Sequence, residues 1–132
     1  MQAVDTNVVV RLILGDDPVQ AHLAEACWRR TLTRGDLFLS QIVLVELSWV
    51  LGFSARLGRV RIATELRRLA AIEGVVVEDE AIVLQAINCY EQSSCDFADC
   101  LILVRARERD ALPVHTFDRS FSHQPAVKLI TQ

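Results

Sequence analysis

Four carboxylates stand within or at the ends of short apolar runs: Asp5, Glu46, Asp99 and Asp118. Grouped together, with no thiolate or imidazole among them, they make a hard, all-oxygen donor set. Such a set suits Mg²⁺ or Mn²⁺ rather than zinc. Without a cation, mutual repulsion would raise their pKa values. With one or two ions held, the group could activate water and stabilise a phosphoryl-transfer transition state. Thr6, Asn7 and Thr116 lie within two residues of Asp5 or Asp118, and Ser40 six residues before Glu46; all four could offer hydrogen bonds to metal-bound waters or to a scissile phosphate.

Each of these residues also has a purely structural role open to it. Asp5 can cap the helix that begins at Thr6, and Asp96 or Asp99 can cap a later one and favour its dipole. Asp118 suits a turn before Arg119-Ser120. The four hydroxyl and amide side chains are common local caps. Glu46 has the strongest case for a role beyond these, because it sits within the apolar run Ile42 to Leu51. A charge there is costly to bury without a partner, and that partner is a cation or an Arg.

The elements that must position these groups follow from periodicity and punctuation. Gln2 to Val4 reads as a short strand closed by Asp5, followed by an apolar helix over Val8 to Leu14 that Gly15 stops. Asp17-Pro18 is a start signal, N-cap then Pro at the first helical position, for a helix to about Arg34 with Gly35 beyond it. Leu37 to Leu39 is a second strand. Ser40 caps a helix with Val43, Leu44, Leu47, Val50 and Leu51 on its apolar face.

Gly58 then precedes an amphipathic helix with Ile62, Leu66, Leu69 and Ile72 in register, ended by Gly74. Val75 to Val77 is a third strand. Asp79 caps a helix to about Glu91, and another runs from Asp96 to about Asp110. Pro113 to Phe117 and Ala126 to Ile130 supply two closing strands. Strands separated by helices predict an α/β domain, a three-layer α/β/α sandwich around a mostly parallel sheet of about five strands. In open parallel sheets, ligands bind beyond the carboxyl ends of the strands. Asp5 and Asp118 close strands, and Glu46 and Asp99 lie near the starts of helices that follow loop ends.

Bulk properties narrow the classes. The chain has 132 residues, which fits a single domain over 1–132. Its formal charge of −3 argues against holding nucleic acid by bulk electrostatics. Thirteen of the 14 basic residues are Arg, with clusters at Arg29, Arg30 and Arg34, at Arg56, Arg59 and Arg61, and at Arg105, Arg107 and Arg109. They could pair phosphates or an acidic partner bidentately, but each cluster reads first as a solvated helix face. Cys27, Cys89, Cys95 and Cys100 form no Cys-x-x-Cys pair, and His22, His115 and His123 show no zinc-like spacing with them. The cysteines read as small apolar filler in a reducing compartment. There is no Gly-rich phosphate loop, G-x-S-x-G elbow or H-E-x-x-H helix. No basic n-region precedes the first strand, and the Leu37 to Ala55 stretch is interrupted by polar residues and Gly. The expectation is a cytoplasmic protein without membrane segments.

Together the motifs resemble a known family. Val4-Asp5-Thr6-Asn7 before an apolar helix is similar to the opening of PIN-domain ribonucleases. So are Val45-Glu46-Leu47, Asp96-Phe97-Ala98-Asp99-Cys100-Leu101-Ile102 and Thr116-Phe117-Asp118. Their order, spacing and chain length resemble VapC-type toxins of bacterial toxin–antitoxin pairs, over essentially the whole chain. The resemblance implies a Mg²⁺- or Mn²⁺-dependent endoribonuclease in which Asp5, Glu46, Asp99 and Asp118 are the four family acids. Asp96 is then auxiliary or a cap. It also implies homodimers and inhibition by a cognate VapB-like antitoxin whose tail enters the acidic groove. Cys100 departs mildly from the pattern, standing where a small residue such as Ala is usual.

A different class of reading is a PIN-fold module that binds RNA or protein without cutting. Retention of all four acids argues against it. A haloacid-dehalogenase-like phosphatase would need an Asp two residues after Asp5, where Asn7 stands.

Overall fold

The chain is described over all residues, Met1–Gln132, by a computed structural model. Residue contacts divide it into two units, Met1–Glu80 and Ala81–Gln132. In the first unit the strands are β1 (Gln2–Ala3), β2 (Leu37–Leu39) and β3 (Val75–Val77), and the helices are α1 (Thr6–Leu14), α2 (Pro18–Arg34), α3 (Gln41–Trp49) and α4 (Arg59–Ala71). The second holds α5 (Glu80–Gln92, beginning at the boundary), α6 (Phe97–Glu108), β4 (Val114–Thr116) and β5 (Val127–Leu129).

Two helix starts in the first unit follow directly from local capping chemistry. The Gln20 amide donates to the Asp17 carboxylate at 3.1 Å with Pro18 as the first helical residue, and the Val43 amide donates to Ser40 Oγ at 3.3 Å. Each such cap satisfies an amide with no partner inside the helix and contributes about 1 kcal/mol. Gly15 ends α1 with φ 62°, a left-handed conformation that costs glycine nothing. Gly74 has φ 87° between α4 and β3, and an added Cβ would lie 3.0 Å from the Leu32 side chain.

Both sheets are wholly parallel. Gln2 pairs with Leu37 and Leu37 with Val75, giving the order β1-β2-β3, while Val114 pairs with Val127 in a separate two-stranded sheet. The α/β class and parallel pairing agree with the expectation, but the single sheet of about five strands does not. The ladders close as three strands and two.

Packing in the first unit places α1 against α2 and α3, α2 on β2, and α4 on β3. Val9, Leu37, Leu39, Leu44, Leu47, Leu51 and Leu66 are almost fully buried, each contributing roughly 1.5–3 kcal/mol of transfer free energy. In α6 the buried residues Phe97, Cys100, Leu101 and Val104 recur at helical spacing. Phe97 meets Tyr90 of α5 edge-on, with ring centroids 6.2 Å apart.

One element differs in kind from the sequence reading. The helix after Ser40 is α-helical only to Trp49, then continues as a π-helical turn over Val50–Ser54, where the Ala55 amide bonds to the Val50 carbonyl at 3.1 Å. Periodicity tests for 3.6 residues per turn, so it cannot register this widening. No helix is long and apolar enough to cross a membrane.

Candidate active site

The carboxyl ends of β1 and β2 carry the first group of residues. Ala3 pairs with Phe38, so Asp5 and Ser40 each follow a strand of this ladder by one or two residues. Asp5 occupies the N-cap position of α1, yet its side chain makes no capping hydrogen bond and is exposed. Its structural role is therefore unfilled, and the carboxylate is available to a cation. Thr6 opens α1. Asn7 borders a cleft of about 320 Å³ between α1 and α2, with Arg11, Gln20 and Leu23 among its other walls. Ser40, by contrast, is spent on capping α3.

Glu46 requires a correction. Its place in an apolar run implied a buried charge in need of a partner. The side chain is in fact exposed, and no salt bridge reaches it. Helix α3 buries Val43, Leu44, Leu47 and Ser48 and leaves Ile42, Glu46 and Trp49 on an open line. The run looked uniformly buried because both of its faces are apolar, and only packing shows which one is covered.

One carboxylate at this edge went unweighed. Glu78 follows β3, and Leu39 pairs with Val77, so Glu78 lies opposite Ser40. The Gln41 amide donates to Glu78 Oε1 at 2.8 Å, and Gln41 Nε2 donates to the Glu78 carbonyl at 3.2 Å. Glu78 is thus engaged at the start of α3. Its signal was present in the sequence, since it directly follows Val75–Val77, but the strand-end rule cannot separate a capping acid from a free one.

In the second unit three acids share one electrostatic environment. Asp96 caps α6 by accepting from the Asp99 amide at 2.9 Å. Asp99, in the first turn of that helix, has its pKa pushed up to about 6, first by burial, then by the charges of Asp96 and Asp118 and by a hydrogen bond with Asp96. Burial and like charge both disfavour the ionised carboxylate, which is the electrostatic deficit a divalent cation removes.

Asp118 sits two residues beyond the β4–β5 ladder. Its amide donates to Thr116 Oγ1 at 3.0 Å, and its Oδ1 accepts from the Ser120 and Phe121 amides at 2.8 and 3.2 Å. Thr116 is therefore occupied in shaping this turn. Ser94 Oγ and Ser120 Oγ lie 2.7 Å apart and tie the turn to the segment leading into α6. Nothing in the sequence pattern marks a contact between serines 26 residues apart. Below the turn, Phe121 is buried.

Several arginines are paired within their own helices. Arg61 and Arg68 bond the buried Glu65 at 3.0 and 3.4 Å, and Arg105 meets Glu108 at 3.1 Å. All four cysteines are free, and burial raises the pKa of the Cys100 thiol, in keeping with apolar filler.

The donors fit a hard divalent ion in type: carboxylates, with neutral oxygens nearby and no soft ligand. No three His, Cys, Asp or Glu side chains converge as a metal-ligand group. Parallel strands alternating with helices define an α/β protein, and the family comparison makes the class specific. The PIN domain family profile matches residues 3–127, and the chain belongs to that family. PIN is a nuclease-type fold whose members are typically metal-dependent nucleases. No curated protein matches the chain.

Proposed function

We propose that this chain is a Mg²⁺- or Mn²⁺-dependent endoribonuclease, with residues 1–132 acting as one PIN domain. The reading extends to a VapC-type toxin neutralised by a cognate VapB-like antitoxin. Asp5, Glu46, Asp99 and Asp118 are the acids assigned to metal and catalysis. The observation that carries the proposal is the raised proton affinity of Asp99 beside Asp96 and Asp118. The unengaged, exposed carboxylates of Asp5 and Glu46 support the same assignment.

A divalent ion held by such acids supplies an activated water and countercharge for the dividing phosphate. The chain's own contribution is to hold the donors. Asp96 fixes the first turn of α6, and the Ser120 and Phe121 amides hold one oxygen of Asp118. That leaves its second oxygen for a ligand. Thr6 and Asn7 are assigned to substrate, while Ser40 and Thr116 act there only through the backbone they shape. A homodimer is part of the proposal. Ile42, Trp49 and Phe53 offer it surface, being 70%, 43% and 80% exposed.

The test is cleavage of a total RNA pool with and without Mn²⁺, comparing the native protein with Asp5→Ala and Asp99→Ala. Loss of cleavage in both variants is expected, together with relief of growth arrest on expression. Full activity in both would remove the assignment. A non-cutting PIN module is the second reading, favoured by the lack of a convergent three-ligand group. It predicts no shift in melting temperature with millimolar Mn²⁺.

A further inference from the structure

Two side chains flanking Asp118 are left without internal roles. Phe117 is 79% exposed, in a turn that buries Phe121. The one ring pair in the protein is Tyr90 with Phe97, so Phe117 stacks on no aromatic of its own chain. Arg119 is exposed and belongs to none of the ion pairs, and only its carbonyl is engaged, by Ser122 Oγ at 2.7 Å. Between them the Asp118 backbone is pinned on both sides, by Thr116 Oγ1 and by the Ser122 amide, which donates to the Asp118 carbonyl at 3.0 Å. An exposed ring on a pinned turn loses little conformational freedom when something stacks on it.

The charge balance says what that something is. A chain of net charge −3 with three acids in one field repels a polyanion, so bulk electrostatics cannot hold RNA here. Stacking on an aromatic is independent of salt and tolerant of base identity, and a single guanidinium can locally offset the repulsion of one phosphate. Resting on the ribonuclease reading above, we propose that Phe117 and Arg119 form a nucleotide clamp for single-stranded RNA. Phe117 stacks on the base next to the phosphate presented to Asp118, and Arg119 pairs with a neighbouring phosphate. Both are substrate-positioning residues.

Binding and cleavage separate the clamp from the reading on which it rests. A fluorescently labelled single-stranded oligoribonucleotide is titrated by anisotropy in metal-free buffer over a series of KCl concentrations. Phe117→Ala should weaken binding about tenfold with the salt slope unchanged. Arg119→Ala should reduce the slope of log affinity against log salt by about 0.7, one phosphate contact on a single strand. Phe117→Trp, made with Trp49→Phe, should restore binding and show fluorescence quenching by RNA, whereas Phe117→Leu should not restore it. Duplex RNA, whose bases are already stacked, should not distinguish Phe117→Ala from the native protein.

Equal binding by Phe117→Ala and the native protein would overturn the clamp, as would rescue by Leu as complete as by Trp. So would a change of mass in light scattering with RNA binding intact, which would make Phe117 part of a protein interface. If the clamp fails while Asp99→Ala still abolishes Mn²⁺-dependent cleavage, the ribonuclease reading stands. If native protein binds through Phe117 but never cuts, that reading fails instead.

Discussion

The Asp99 amide donates to the Asp96 carboxylate at 2.9 Å, so two acids three residues apart hold different tasks. Asp96 is engaged by the helix it starts. Asp99 gains from that arrangement both a fixed backbone and a nearby negative charge, and its own carboxylate is left with a raised affinity for a proton or a cation.

Replacing the cap separates these effects. Asp96→Ala should cost about 1 kcal/mol of stability through the lost cap. Asp96→Ser should keep most of that stability while removing the charge, and in both variants the Asp99 pKa should fall. Carboxyl-carbon NMR titration together with thermal melting checks this. An unchanged Asp99 titration in Asp96→Ser would refute the coupling.

A pH dependence follows from the same group. The folded pKa of Asp99 is about 6 against an ordinary 3.8, so the folded metal-free protein holds a proton that the unfolded chain has released. Stability from this group is therefore full below about pH 4 and is lost as pH rises through 6. Solvent screening of this part-exposed carboxylate brings the loss to on the order of 1 kcal/mol. Urea unfolding in EDTA from pH 4 to 8 should show that loss in native protein and not in Asp99→Asn. Bound cations compete with the proton, so Mn²⁺ affinity should weaken as pH drops below about 6.

Glu46 offers a test that stability alone cannot mimic. Because its carboxylate is exposed and unpaired, Glu46→Gln should change metal-free stability by less than about 0.5 kcal/mol. Native protein at a Mn²⁺ concentration 100 times its dissociation constant should gain about 2.7 kcal/mol, and Glu46→Gln clearly less. Differential scanning fluorimetry with and without metal reads both quantities. An undiminished metal shift in the variant would remove Glu46 from the site.

Gly74 tests the fold independently of function. Its φ of 87° and the 3.0 Å approach of Leu32 to an added Cβ should make Gly74→Ala destabilising by about 1–3 kcal/mol. Adding Leu32→Ala would relieve the clash but leave the backbone strain, so equal stability of Gly74→Ala and native protein would contradict the observed turn.

Much of this protein was determined by local sequence. Asp17-Pro18, Ser40 and Asp96 start helices because their side chains reach amides within three residues, an interaction needing no tertiary partner. The order and spacing of the four acid motifs, and with them the PIN family, are likewise properties of the linear chain. Tertiary structure decided the rest. Glu46 lies in an apolar run but faces outward, because burial depends on which helix face is covered. Asp5 and Asp118 both end strands, yet one carboxylate is unengaged and the other accepts two amides, since only the folded turn brings Ser120 and Phe121 onto Asp118. Which strands pair, and in which of the two sheets, is likewise set by contacts between segments distant in the chain. Propensity and spacing are properties of neighbours in the chain, whereas exposure, strand pairing and a raised Asp99 pKa belong to neighbours in space.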